Sequence, residues 1–189
     1  MDFLADENFP LFSIKLPRSA GHNVVSVIEE KHFESIKEDN SKEEHEKQWK
    51  RSKIIFDHFY EYLKNRGLTE NTAGKRTEMA AYFVMDYVFV YEDLMNMLEV
   101  SGDTIRKFLG NWYIRKFLRP KMSEIKSFLK AISDFYTFLH KENFISKEHL
   151  NEINEVCKDK AWFEMRLKTY FSADGDDFYE WIQEYNYDF

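Results

Sequence analysis

The stretch Ser123–Asn143, SEIKSFLKAISDFYTFLHKEN, decides the fold class. Its large apolar residues recur every three or four positions, which is the repeat of an α-helix with one buried face. No glycine or proline interrupts it. The sequence therefore predicts a long amphipathic helix, with Ser123 as its N-cap, inside a helical bundle. The inward-facing residues are Ile125, Phe128, Leu129, Ile132, Phe135, Phe138 and Leu139.

The same period recurs on both sides of this stretch, with recognisable signals at the helix ends. Gly67 stands where a terminating glycine is expected, and Thr69 follows as an N-cap candidate. Ser101 or Asp103 caps the next helix, and Ser146 caps the one that follows the central stretch. Only six glycines and three prolines occur, which favours long regular elements over a turn-rich β fold. We predict a mainly-α bundle of six to eight helices.

Composition divides the chain into four segments. Residues 1–30 begin with a short apolar run and end in β-branched residues after a glycine, which predicts a short α/β-like strand-helix-strand segment. Residues 31–50 are dominated by Lys, Glu, Asp and His and form a charged linker or the start of a helix. Residues 51–155 carry the helical domain. Residues 156–189 are a helical extension rich in acids and aromatic rings.

Several classes of protein are disfavoured by composition. The single cysteine, Cys157, excludes an intramolecular disulfide framework and a cysteine-built metal site. No apolar run approaches the ~18 residues of a membrane span, and the N-terminus does not resemble a signal peptide. The net charge of −7 favours solubility and disfavours indiscriminate binding to nucleic acid. We expect a cytoplasmic protein without membrane contact.

Motifs that carry catalytic chemistry were not found in the sequence. There is no glycine-rich phosphate loop and no Gly-x-Ser-x-Gly elbow. Cys157 has no obvious histidine base, and it is expected to be a buried small residue. His149 and Glu152 share a helical face, but two ligands do not make a metal site. The sequence predicts no enzyme, no cofactor and no metal site.

The opening segment carries one family resemblance. FLADENFP (residues 3–10) and AGHNVVSV (residues 20–27) resemble the first βαβ unit of small PIN-like nuclease relatives. That resemblance implies that Asp6, with Glu7 beside it, would join later acidic residues to hold a divalent metal. Those later acids have no counterpart here, so Asp6 is better explained as a strand end or turn residue. A degenerate nuclease relative is the weakest of three functional alternatives.

A second resemblance covers residues 54–153. Its motifs are FYEYLKNRGLTENTAGKRTEMAAYFV (59–84), SGDTIRKFLGNWY (101–113) and EIKSFLKAISDFYTFLHKENFIS (124–146). They resemble the N-terminal core-binding (SAM-like) domain of tyrosine recombinases and phage integrases. The resemblance implies a helical bundle that arches over one side of a DNA duplex, while a separate domain performs the chemistry. The arginines, histidines, lysine and tyrosine of that catalytic domain have no recognisable counterpart in this chain.

Positive charge is concentrated in Ile105–Lys121, IRKFLGNWYIRKFLRPK, which holds six basic residues and no acid. Such residues can neutralise DNA phosphates, and Arg106 and Lys116, ten residues apart, are expected to share one side of a helix. The recombinase resemblance adds a DNA-facing helix start with neutral phosphate contacts. The predicted DNA-binding residues are Thr69, Asn71, Thr72, Lys75, Arg76, Arg106, Lys107, Arg115, Lys116, Arg119 and Lys121.

Two alternatives compete with double-stranded DNA as the partner. Residues 51–155 hold sixteen basic and fifteen acidic residues, a net of +1, so the cations could form an ordinary solvated face. The C-terminal stretch SADGDDFYEWIQEYNYDF (172–189) has six acids, six rings and no lysine or arginine. One interpretation is a final amphipathic helix that packs on the bundle through Phe178, Trp181, Ile182 and Tyr185. Another is a surface that docks a protein partner or a second copy of the chain, or that imitates a phosphate chain across a basic groove. A non-catalytic DNA-binding module is the leading hypothesis, and a protein-interaction bundle is the rival.

Overall fold

The computed structural model describes residues 41–91, 95–173 and 175–184, with side chains from Trp49 onward except that of Asp176. Within those ranges every regular element is a helix and no strand occurs, which confirms the predicted mainly-α bundle. The α/β-like segment predicted for residues 1–30 lies outside the described residues. None of the described helices combines the length and the apolar character needed to cross a lipid bilayer.

The helices follow one another with short connections. Two of the helical stretches contain a π turn, in which backbone hydrogen bonds join residues five apart. The predicted segment boundaries at residues 50 and 155 lie within α1 and α6, and the division into four segments stays a prediction. The elements are α1 (Ser41–Asn65), α2 (Glu70–Ala81) continuing into π1 (Tyr82–Val88), α3 (Gly102–Lys107) continuing through π2 (Phe108–Trp112) into α4 (Tyr113–Lys116), α5 (Met122–Lys141), α6 (Lys147–Lys158), α7 (Lys160–Ser172) and α8 (Gly175–Gln183).

The end of α1 is fixed by a glycine, as the sequence predicted. Gly67 has φ +87° and its N–H donates to the Lys64 carbonyl at 2.8 Å, while the Leu68 N–H donates to the Leu63 carbonyl at 3.3 Å. This pair of bonds is a Schellman motif, which requires a left-handed residue at the turn. The tight turn directs the chain into α2 alongside α1, so that the two helix ends meet.

The N-caps predicted at Thr69, Ser101 and Ser146 are confirmed. The Thr69 hydroxyl accepts from the Thr72 N–H at 3.3 Å. Ser101 and Thr104 form a capping box, in which each side chain bonds the other's backbone N–H. These bonds satisfy backbone donors that have no partner within the helix. They explain why each helix begins where it does.

The N-cap predicted at Ser123 is wrong. Helix α5 begins at Met122 and its N-cap residue is Lys121, which makes no side-chain capping bond. The Lys121 carbonyl accepts from the backbone N–H groups of both Glu124 and Ile125, so Ser123 already lies in the first turn. The sequence suggested Ser123 because serine caps helices well, but the extended backbone at Lys121 sets the start two residues earlier.

Helix α5 lies at the centre of the bundle and packs against α1, α2, α6 and α7. All seven predicted inward-facing residues of α5 are buried. Aromatic rings dominate the contact with α1, where Phe56 and Phe135 are stacked at 4.9 Å and Phe59 and Phe138 lie 5.6 Å apart. Aromatic side chains bury large apolar areas, so these pairs account for much of the stability of this interface.

The π turn π2 lets α7 approach closely. The Tyr113 N–H donates to the Phe108 carbonyl, five residues back, which marks one inserted residue. A Cβ on Gly110 would lie 2.5 Å from the Trp162 ring, so only glycine leaves room for that ring. The Gly110 carbonyl accepts from Nε of Arg166 at 3.2 Å. Helix α7 is thus packed directly against the backbone of π2.

The C-terminal helix α8 is attached to the bundle by Arg166, which is buried. The guanidinium stacks on the Trp181 ring at 3.8 Å and donates to the Trp181 carbonyl and the Glu184 carboxylate. Trp181 is buried, and Phe178 and Ile182 are half-buried, as the packing alternative predicted. Tyr185, also expected in that interface, lies outside the described residues. The rings of this segment therefore contribute to the bundle itself.

Candidate nucleic-acid interface

One buried carboxylate gathers three cations where α1, α2 and α5 meet. Asp134 of α5 has a side chain only 3% exposed. Its oxygens lie 2.6 Å from Nη1 of Arg76, 3.0 Å from Nζ of Lys130 and 3.4 Å from Nη1 of Arg66. A buried carboxylate is costly unless it is paired, and here it also links three helices. Three positive charges against one negative leave the cluster with a formal excess of +2.

The cations of this cluster still reach solvent. The side chain of Arg66 is 44% exposed and that of Lys130 is 55% exposed, whereas Arg76 is mostly covered. A guanidinium has five N–H donors, so an arginine that bonds a carboxylate retains donors for a second anion. The cluster therefore stabilises the helix junction and presents positive charge on its outer side.

The start of α2 supplies the neutral residues that the sequence singled out. The Thr69 hydroxyl is occupied by the cap, bonding the Thr72 N–H and lying 2.9 Å from the Thr72 hydroxyl. Asn71, Thr72 and Lys75 are exposed, and Lys75 forms no ion pair with a described carboxylate. Arg76, one residue further, lies in the Asp134 cluster. The predicted residues of α2 are thus adjacent to that cluster.

A second group of cations surrounds the connection between α4 and α5. Arg115, Lys116, Arg119 and Lys121 are exposed, and within the described part of the chain none of them pairs with a carboxylate. Arg115 donates through Nη1 to the Asn111 side-chain oxygen at 3.1 Å, and the Asn111 amide donates to the Ile182 carbonyl of α8 at 3.0 Å.

The sequence around this connection contains almost no compensating charge. Between Thr104 and Ser133 there are eight lysines and arginines and one acid, Glu124, so eight positive charges less one negative give +7. The Tyr113 hydroxyl donates to the Glu124 carboxylate, and burial together with this bond raises the pKa of Tyr113. The one carboxylate of this segment is therefore engaged by a neutral phenol, while Arg106 and Lys130 pair with Asp159 and Asp134 outside it.

The expectation that Arg106 shares a helical side with Lys116 is wrong. Arg106 stacks on the Trp162 ring at 4.4 Å and pairs with Asp159 at 2.9 Å, which joins α3 to the start of α7. The residue inserted in π2 changes the helical phase by about 100°, so the two side chains point about half a turn apart. Arg106 stabilises the bundle at a different place. Lys107 beside it is half-buried and forms no ion pair with a described carboxylate.

Three further cations, which the sequence did not single out, belong to this surface: Arg66, Lys126 and Lys130. Lys126 is exposed and lies one helical turn before Lys130 on α5. The spacing of Lys126, Lys130 and Asp134 by four residues places all three on one side of α5, which could have been read from the sequence. The role of Arg66 could not, since it depends on the turn that brings the end of α1 to Asp134.

Among the described residues no three histidine, cysteine, aspartate or glutamate side chains are grouped closely enough to hold a metal ion. Asp6 and Glu7 lie outside the described residues. No protein-family model matches the chain, and neither a curated protein nor a solved structure matches it. The resemblances to recombinase core-binding domains and PIN-like nucleases stay predictions from the sequence.

Proposed function

We propose that this bundle binds double-stranded DNA through its phosphates and performs no chemistry on it. The observation that supports this function is a set of cations, called here the basic strip, at the α4–α5 connection, on one side of α5 and in the Asp134 cluster. A duplex is the polyanion whose repeating charge suits an extended strip of this kind. The strip consists of Arg115, Lys116, Arg119, Lys121, Lys126, Lys130, Arg76 and Arg66.

The length of the strip fits a duplex. Lys126 and Asp134 are eight residues apart on one side of α5, which corresponds to about 12 Å at 1.5 Å per residue. That distance covers roughly four base-pair steps of 3.4 Å, so several phosphates of one strand are within reach. Asn71 and Thr72 at the start of α2 add neutral donors beside the Asp134 cluster.

The acidic character of the rest of the chain supports the same function. The whole chain carries −7, whereas residues 104–133 carry +7. A polyanion is therefore attracted to this segment more than to the chain as a whole, which favours its approach there. Phosphate contacts alone carry no sequence information, so we expect weak sequence preference and strong dependence on salt.

A charge-reversal pair tests this function. Lys116→Glu with Arg119→Glu changes two exposed residues of the strip, while Lys147→Glu with Lys168→Glu changes two exposed residues of α6 and α7. We expect the first pair to weaken binding to a labelled duplex by at least about 30-fold at about 50 mM salt, and the second by less than about threefold. Fluorescence anisotropy measures both. Absence of duplex binding by the unchanged protein, or equal effects of the two pairs, would refute the proposal.

A second candidate function is binding to a protein partner or to a second copy of the chain. Three large apolar side chains, Met165, Phe171 and Tyr179, are exposed on α7 and α8, within the predicted acidic and aromatic extension. Size-exclusion chromatography with light scattering distinguishes self-association from the leading proposal. A monomer at all concentrations, with duplex binding unaffected by Phe171→Ser, excludes a role for this surface in self-association or in DNA binding.

The degenerate nuclease alternative depends on Asp6 and Glu7. It predicts that DNA is cleaved when a divalent metal is added, and that Asp6→Ala abolishes the cleavage. Incubating the unchanged protein and the Asp6→Ala variant with plasmid DNA and Mg²⁺ or Mn²⁺ tests it. Equal cleavage by both proteins, or no cleavage by either, would reject this alternative.

A further inference from the structure

Leu118 is the most exposed of the large apolar side chains in the described part of the chain, at 82% of its full area. It lies in the bend between α4 and α5. On one side Phe117 is half-buried, with its ring 4.4 Å from the Tyr113 ring, and its N–H donates to the Tyr113 carbonyl. On the other side Pro120 is buried. The bend is thus anchored at both ends, and the leucine is held outward rather than folded back.

The surroundings of Leu118 are cationic. Arg115, Lys116, Arg119 and Lys121 flank it in sequence and are all exposed. An apolar side chain on a rigid tip, ringed by positive charge, fits a partner that is negative outside and apolar inside. Two kinds of partner have that character, a DNA duplex with its stacked bases and an anionic lipid bilayer.

The course of the basic strip favours the duplex. A loop that enters a bilayer needs its cations at one depth, close to the apolar tip. Here the cations continue along one side of α5 from Lys126 through Lys130 to the Asp134 cluster, a rise of about 12 Å. A duplex can contact the tip and the strip together, because its phosphates extend along the helix axis while its base edges lie in the grooves between them.

We propose that Leu118 is a wedge that enters between neighbouring base pairs of the bound duplex and bends it. This inference rests on the proposed DNA-binding function. Inserting an apolar side chain disrupts base stacking, and the bend offsets that cost by bringing more phosphates to the protein. Pyrimidine–purine steps such as TA unstack most easily, so sites with a central TA step bind best.

The test uses the full chain and a duplex of about 20 base pairs with 2-aminopurine next to a central TA step and a dye at each end. Binding of the unchanged protein is expected to raise 2-aminopurine fluorescence and to increase energy transfer between the dyes. Leu118→Ala is expected to bind about tenfold more weakly, with the same salt dependence and without either signal. Leu118→Met should retain both signals. Val90→Ala alters another exposed apolar residue, outside the strip, and should behave as the unchanged protein.

The outcomes separate the wedge from the DNA-binding function. If Leu118→Ala still unstacks and bends the duplex, the wedge is rejected while DNA binding stands. If the unchanged protein does not bind the duplex, both are rejected. A further result that overturns the wedge is binding to vesicles of phosphatidylserine and phosphatidylcholine, lost in Leu118→Ala, without any duplex unstacking. Folding is checked by thermal unfolding, which an exposed leucine should not change.

Discussion

Asp134 illustrates how one residue couples the fold to the proposed function. Its carboxylate holds Arg66, Arg76 and Lys130 in place, and without it three cations would repel one another at the junction of α1, α2 and α5. The same carboxylate cancels one positive charge of the strip. The carboxylate therefore fixes the helix junction while it lowers the positive charge of the strip by one unit.

Asp86 provides a pH-dependent prediction at the scale of one residue. It is half-buried in π1, and burial raises its pKa to about 6. The folded state therefore favours the protonated form, and stability falls as pH rises from about 4, the pKa of the unfolded chain, to about 6, beyond which this contribution is constant. We expect Asp86→Asn to increase the free energy of unfolding by about 1 kcal/mol at pH 7.5, a value reduced for partial exposure.

Urea unfolding at pH 4.5 and pH 7.5 measures this effect. The gain from Asp86→Asn should be smaller at pH 4.5 than at pH 7.5. Glu61→Gln changes an exposed carboxylate of α1 and serves as the control, with less than about 0.5 kcal/mol expected at either pH. An equal gain from Asp86→Asn at both pH values would contradict the raised pKa.

The elements that departed most from expectation are the two π turns. π1 and π2 pack against each other through rings, with Phe83 and Tyr87 each about 5 Å from Phe108. Sequence periodicity assumes 3.6 residues per turn and cannot register an inserted residue. The insertion in π2 is stabilised by α7, more than fifty residues later, through Trp162 and Arg166. The inserted residue thus depends on tertiary packing. For this reason the sequence wrongly predicted that Arg106 and Lys116 share one side of a helix.

A substitution at Gly110 tests the close packing of α7 against π2. In Gly110→Ala the new Cβ would lie 2.5 Å from the Trp162 ring, and we expect the free energy of unfolding to fall by about 2 kcal/mol. Gly74→Ala is the matched control, because a Cβ at Gly74 in α2 meets nothing within 4 Å. That variant should be more stable by up to about 1 kcal/mol, since alanine favours a helix. Urea unfolding of both variants measures these free energies. Equal free energies of unfolding for the two variants would contradict the close packing at Gly110.

The helical elements themselves were largely foreseeable. The apolar faces of α5 and α1, the glycine turn at Gly67 and the caps at Thr69, Ser101 and Ser146 all depend on residues close in sequence. The ion pairs between helices could not be predicted from local sequence patterns. Arg76 meets Asp134 across 58 residues and Arg106 meets Asp159 across 53, so these partners are fixed by helix packing. Local patterns define the elements, whereas the site depends on their arrangement.

At the scale of the whole molecule, positive and negative charge are distributed unevenly along the chain. The chain is acidic overall, and eight of its 27 lysines and arginines lie on the α4–α5 connection, one side of α5 and the adjoining helix ends. The predicted cations therefore do not share a single role. Arg106 holds α3 to α7, and Arg76 belongs both to the helix junction and to the strip. The remaining strip cations outside the Asp134 cluster form no ion pairs with described carboxylates.

The salt dependence of duplex binding tests this charge separation most directly. The logarithm of the association constant is measured against the logarithm of salt concentration from about 50 to 200 mM, and each phosphate contact contributes about 0.9 to the slope. For roughly five contacts the account predicts a slope near −4 to −5, reduced in magnitude by about 2 in the Lys116→Glu, Arg119→Glu pair and unchanged in the Lys147→Glu, Lys168→Glu pair. A slope smaller in magnitude than about 1, or the same slope in all three proteins, would contradict it.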